Sequence, residues 1–281
     1  MGALIAGLAL SALLVACSES AAPVQEAPSD APAPEAEEIV DESPTGLEET
    51  DFGNLTWSIR PGGNMPETVQ VEFEDGVATD GIVQYEVGDV VHTELNDDAL
   101  MDAAAQIFII DGNAVEEQWY LWLSEEGDPK QVTLPVARAA HCGTALHSVE
   151  AVDGGGVEIH ETRRHIGESG LACSETGTDE RVRTVIAVEA RNEGEWWPVQ
   201  VDPRGGFGGL CPVASDYESV TYSGPLHAVP DAEAMEVSGG ETTWVFSVEP
   251  WPIYGEDFPG WVLVGVHDQE GEMWCAWAEA Q

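Results

Sequence analysis

From Phe52 to about Asp202 the chain repeats one figure. A short run alternates apolar and polar residues, then breaks at a glycine turn. "TVQVEFEDGVA" alternates and turns at Asp75-Gly76, and "GIVQYEVGDVV" follows as a second run. "AAAQIFIIDGN" closes on Asp111-Gly112-Asn113, and "EEQWYLWLSEEGDPKQVTLPV" holds two runs around an acidic turn. "ALHSVEAVDGGGVEIHETRRH" folds back over Gly154 to Gly156, and "RVRTVIAVEARNEGEWWPVQV" over Asn192-Glu193-Gly194. Side chains alternate faces along a strand, so a period of two with turns this close predicts antiparallel hairpins. Only Asp98 to Ala105 reads as a brief helix. The expected class is mainly β: an antiparallel sheet domain with little helix.

"DPRGGFGGLCP", Asp202 to Pro212, reads as a turn or hinge, because its glycines lack the strand-then-helix setting of a dinucleotide fingerprint. Past it come short runs such as "TTWVFSVEPWPIYGE", "GWVLVGVHD" and "EMWCAWAEA". They predict a small C-terminal β segment, SH3-like by analogy of length and turn spacing. The expected organisation is a leader over 1–16, a lipidated cysteine and linker over 17–50, a β domain over 51–205 and the small β domain over 206–281.

The N-terminus carries the address. The apolar run from Ala3 to Ala16 is shorter than the roughly 20 residues a spanning helix needs, and it matches a signal-peptide core. It ends in Leu14-Val15-Ala16-Cys17, which resembles the lipobox of bacterial lipoproteins, although no Lys or Arg precedes the run. That resemblance implies cleavage before Cys17, acylation of Cys17, and a place at the extracytoplasmic face of the cell membrane. Ser18 to about Thr50 is rich in Ala, Pro, Glu and Ser and has no base. Such a segment buries too little to offset its ordering entropy, so a disordered tether is expected.

Charge narrows the partners. The chain has 53 acids against 9 bases, a net charge of −44, and Lys130 is its only lysine. Nucleic acid and anionic headgroups are repelled, which leaves the lipid anchor as the expected membrane contact. Beyond Cys17 stand Cys142, Cys173, Cys211 and Cys275, with no C-x-x-C pair. In an exported chain this predicts two disulfides rather than zinc. Of three pairings, Cys142–Cys173 with Cys211–Cys275 is preferred, because each closes a loop within one expected domain. Each would contribute roughly 3–4 kcal/mol in the chain-entropy model.

Catalytic signals are weak. The histidines of "HETRRH" are five apart and would not share a helix face, so the stretch reads as a strand end with Arg163 and Arg164 pairing local acids. No G-x-S-x-G or phosphate loop occurs. No catalytic residue is assigned. Ten tryptophans stand out. By parity Trp119 and Trp122 face opposite ways, as do Trp196 and Trp197, and most should be core. Trp251, Trp261 and Trp274 are the candidate aromatic groove for an envelope glycan or protein ligand.

"HTELNDDALMDAA", His92 to Ala104, places Glu94, Asn96, Asp98 and Asp102 at positions 1, 3, 5 and 9 of a calcium-loop pattern. Ala99 takes the place of the turn glycine and Ala105 that of the twelfth-position glutamate, so a full EF-hand is excluded. A weak cation site and a plain hydrogen-bonded acidic turn both remain open. No cofactor is expected other than calcium at this loop.

Taken with "QWYLWLSEEG" and "VARAAHCGTALHSVEAVDGGGVEI", the run "YEVGDVVHTELNDDALMDAAAQIFIIDGN" resembles the LppP/LprE-type lipoproteins of actinobacteria, over roughly Val69 to Val199. The resemblance puts the four acidic-loop residues on the family's acidic places and Ala103-Ala104 at the start of a strand. It implies a surface-tethered protein and no enzyme. The leading expectation is a non-catalytic, lipid-anchored envelope protein with a binding or structural role. The alternatives are a calcium-stabilised envelope module and a secreted hydrolase with an acidic pair.

Overall fold

The computed structural model describes residues 46–281, apart from 63–67, 126, 141–142, 165–167, 169, 191–193, 212–219, 223, 238–242, 248–259, 268–272 and 281. The leader, Cys17, all but the last residues of the linker, His141, Cys142, His165 and Trp251 therefore lie outside the described residues. The described chain is mainly β, and every strand pair in it is antiparallel. Among the described residues the one helical piece is a 3-10 turn, Phe52–Asn54.

Four sheets make up the body. A two-stranded ribbon pairs β1 (Thr56–Ile59) with β2 (Val69–Glu72). The second sheet is a meander of β3 (Val77–Asp80), β4 (Val83–Thr93), β5 (Asp102–Asp111), β6 (Ala114–Glu125) and β7 (Asp128–Gln131), with β8 (Ala137–Ala139) also on β6. The third has the order β13-β12-β11-β10-β9, from β9 (Ala145–Ala151), β10 (Val157–Arg163), β11 (Asp179–Ala190), β12 (Glu195–Asp202) and β13 (Gly206–Phe207). The fourth has the order β14-β16-β17-β18-β15, from β14 (Val220–Tyr222), β15 (Leu226–His227), β16 (Thr243–Ser247), β17 (Trp261–His267) and β18 (Met273–Glu279).

Alternation sorts the side chains into three cores. On β6, Tyr120 and Trp122 face the ribbon and join Trp57, Phe52 and Phe73. Trp119, Leu121 and Leu123 face the other way and join Val157, Ile159, Val185 and Ala187 of the third sheet. A strand covered on both faces reads as a continuous apolar run, which is why "WYLWL" does not alternate. The parity expected of Trp119 and Trp122 holds. Trp196 and Trp197 split likewise, Trp196 toward the second core and Trp197 into the third.

The third core joins the third and fourth sheets. Trp197, Val199 and Phe207 meet Leu263, Val266, Trp274 and Trp277 there. Trp277 makes T-shaped contacts with Trp197 and Phe207, at centroid distances of 5.8 and 5.9 Å. The Cys211–Cys275 disulfide crosses this core, with Cα atoms 5.5 Å apart. Cys173 is disulfide-bonded as well.

One local expectation needs correction. Asp98 to Ala105 is not helical: 96–100 is a bend and Asp102 opens β5. Ala103, Ala104 and Ala105 are fully buried and pair with Trp122, Leu121 and Tyr120, so strand pairing and close packing override alanine's helix preference. Arg163 and Arg164 give hydrogen bonds to carbonyl oxygens, of Cys211 and of Ala172 and Glu175, and Arg163 also feels the charges of Glu161 and Asp179.

Candidate cation site

The stretch between β4 and β5 folds around its own carboxylates. Glu94 Oε1 accepts the amides of Asn96 at 2.8 Å and Asp97 at 2.5 Å. Asp98 Oδ1 accepts the amide of Leu100 at 2.8 Å, and its Oδ2 accepts Asn96 Nδ2 at 3.0 Å. Asp97 and Ala99 sit at φ 62° and 66°, in the left-handed region. Ala99 occupies the position a calcium loop gives to glycine, and it takes the turn that glycine would make.

Asp102 is the keystone. It is fully buried, and its two oxygens accept the amides of Leu95 at 2.9 Å and Ser124 at 2.8 Å. Burial raises its pKa to about 6; the two amide bonds pull the other way, and the charges of Asp98 and Glu94 add to the rise. Oxygens of Glu94, Asp98 and Asp102 all lie within 4.8 Å of one another. Asn96 Oδ1 is sealed from solvent and has no hydrogen-bond partner.

Long-range contacts hold this turn on the third sheet. Glu94 O accepts the amide of Gly156 at 2.7 Å, and Leu95 O accepts that of Ala187 at 2.9 Å. Thr93 Oγ1 donates to Gly156 O at 3.1 Å. Leu95 is 2% exposed and enters the second core. A Cβ at Gly155 would stand 3.2 Å from Glu94 O, and this residue has φ 104°, so glycine serves both close approach and turn. Leu47, one residue into the described chain, donates its amide to Met101 O at 2.6 Å.

Three carboxylates converge here, with Asn96 hydrogen-bonded to two of them, and oxygen is what calcium takes, at six to eight ligands. Glu94, Asn96, Asp98 and Asp102 could supply a partial shell, with water completing it. These are the four residues that the calcium-loop spacing singles out, and the structure brings oxygens of three of them, Glu94, Asp98 and Asp102, together. Beside them opens a cavity of about 610 Å³, lined by Glu94, Asn96, Asp97, Gly155, Ile186 and Trp196.

The C-terminal aromatic candidates lie apart from this loop, on β17 and β18. Trp274 is 3% exposed within the third core. Trp261 is half-buried and meets His227 edge-on at 5.3 Å. The docking residues Leu95, Gly155, Gly156 and Ala187 had no distinguishing mark in the sequence beyond the triple glycine. No family model, curated protein or solved structure matches the chain.

Proposed function

We propose that the protein is a non-catalytic cell-envelope protein, anchored through a lipid on Cys17 at the extracytoplasmic face, whose folded body is stabilised by a divalent cation of the calcium type. One observation carries the cation reading. Three carboxylates, Glu94, Asp98 and Asp102, offer oxygens within 4.8 Å of one another, beside the sealed and unpartnered Oδ1 of Asn96. A cation neutralises carboxylates that otherwise repel, and it gives the amide oxygen a partner. The site connects β4 and β5 to the third sheet, so the ion's role is structural: it fastens two layers. With few ligands and no bidentate twelfth-position glutamate, affinity should fall near the 0.1–1 mM range of extracellular modules, by order of magnitude. The lipobox-like Leu14-Val15-Ala16-Cys17 and the resemblance to LppP/LprE-type lipoproteins support the anchored, non-catalytic part of the reading.

Thermal melting in millimolar calcium and in EDTA tests the cation. The midpoint should rise with calcium in the native chain and stay put in Glu94→Gln. Identical midpoints in calcium and EDTA would refute it. The anchor is tested by fractionation: Cys17→Ser should leave the membrane fraction, and its retention there would overturn that part.

A further inference from the structure

The cavity beside the acidic loop has two kinds of wall. Its volume of about 610 Å³ falls within the roughly 300–1,000 Å³ of small-molecule sites. The loop between β4 and β5 lines it with Glu94 and Asp97, and β11 adds Glu189. Ile186, Val188 and Trp196, from β11 and β12, give it apolar surface. Among the described residues no base lines it. Glu189 pairs with Trp196 across the β11–β12 ladder, so a carboxylate and an aromatic ring stand side by side on one face.

Hydrogen bonding sorts these groups further. The two lining side chains that carry donors each have a partner: Asn96 Nδ2 donates to Asp98 at 3.0 Å, and Trp196 Nε1 to Glu125 at 3.3 Å. The acceptors are less committed. Glu94 Oε1 takes the amides of Asn96 and Asp97, and Glu189 Oε1 takes that of Gly194 at 2.8 Å. Among the described residues, Oε2 of Glu94, Oε2 of Glu189 and the carboxylate of Asp97 accept no hydrogen bond. Asp97 and Glu189 are exposed and Glu94 half-buried, so these oxygens can be reached. Trp196 is half-buried, and with its N–H engaged it presents its ring. The lining is therefore rich in open acceptors and poor in donors.

We propose that this cavity binds an organic cation, an ammonium or guanidinium group on an apolar stem. The positive group brings the donors that the lining lacks and lies among Glu94, Asp97 and Glu189. The stem lies on Ile186, Val188 and Trp196, and the indole ring attracts cations in its own right. That apolar half separates the cavity from an acidic surface that merely collects counterions. A neutral sugar could stack on the ring, but its hydroxyls would find few donors, and an oxyanion is repelled. The field of a chain with net charge −44 draws cations in, so affinity should fall as salt rises. The site does not depend on calcium: Asp97 and Glu189 lie outside the four loop residues, and Glu94 alone is shared. A free amine and a lysine or arginine side chain of a partner protein carry the same chemistry.

The test is calorimetry on the full chain in buffer with EDTA, so the result stands whether or not the loop takes calcium. The probes are phenethylamine, Nα-acetyl-lysine amide and the uncharged 2-phenylethanol. Phenethylamine should bind saturably, and 2-phenylethanol more weakly by roughly tenfold or more. Glu189→Gln keeps an acceptor for Gly194, and Asp97→Asn suits the left-handed backbone at φ 62°, so both variants should fold, which circular dichroism checks. Each should weaken phenethylamine by roughly tenfold. Glu72→Gln, at an exposed acid on β2, should change nothing. Saturable binding of Nα-acetyl-lysine amide with the same dependence supports the site equally, and the tighter of the two cations names the source. Equal weakening by Glu72→Gln and Glu189→Gln would mean a diffuse acidic surface and overturn the proposal. So would equal binding of 2-phenylethanol, or no saturable binding of either cation.

Discussion

Asp102 accepts the backbone amide of Leu95 at 2.9 Å, seven residues back along the chain. That bond closes the turn on itself and presents Leu95 to the core between the second and third sheets. A single buried carboxylate thereby shapes the loop, and its other oxygen ties the loop to β6 through Ser124.

Replacing Asp102 with Asn should therefore unfold the protein more easily. An amide can accept only one of the two N–H bonds and turns a donor toward the other, leaving a buried donor unsatisfied. The expected loss is about 1–3 kcal/mol. Urea denaturation of Asp102→Asn against the native chain measures it, and an unchanged midpoint would contradict the keystone role.

Ala99→Gly should act in the opposite direction. Alanine at φ 66° carries a steric cost that glycine avoids, while glycine loses more entropy on folding. The net gain expected is roughly 0.5–1 kcal/mol. Melting reads the stability, and a calcium titration should show binding at least as tight as in the native chain.

The Cys211–Cys275 bridge spans a sequence separation of 64 residues and passes through the third core. Constraining a loop of that length stabilises by about 4 kcal/mol in the chain-entropy model. The double variant Cys211→Ala, Cys275→Ala should lose about that much, with the loss concentrated in the fourth sheet. Hydrogen exchange resolved along the chain would show amides of β17 and β18 losing protection before those of β5 and β6.

Glu161 and Arg183 form a buried pair, at 4% and 8% side-chain exposure. Burial alone would raise the Glu161 pKa, but Arg183, Arg163 and Arg181 outweigh it and the value is lowered. A lowered carboxylate contributes stability above its unfolded value of about 4.3, and that contribution fades as pH falls through the folded value. Glu161→Gln should cost about 3–5 kcal/mol near neutrality, because it strands a buried guanidinium. The gap between variant and native chain should stay constant above about pH 5 and narrow below about pH 4.3. A gap that is flat down to pH 3 would mean the ion pair is not the source.

Some of this was legible from residues alone, and the reason is distance along the chain. The hairpins at Asp75-Gly76, Asp111-Gly112-Asn113 and Gly154 to Gly156 depend on neighbours a few residues apart, so alternation and turn chemistry reveal them. The acidic loop was legible for the same reason: Glu94, Asn96 and Asp98 sit at alternate positions in one turn. Asp98 to Ala105 was misread as a helix because alanine's local preference points one way, and pairing with strands distant in sequence decides the other.

A mainly antiparallel β protein and its turns follow from period and spacing alone, and the count of cysteines made Cys211–Cys275 one of the preferred set among three pairings. It took the tertiary structure to clamp the loop to Gly156 and Ala187, to seal Trp274 in a core, and to gather Arg181, Arg183 and Arg204 around one cavity. A period of two says that neighbours face opposite ways, but not which layer covers each face. That choice depends on how whole sheets stack, an energy spread over residues far apart in the chain.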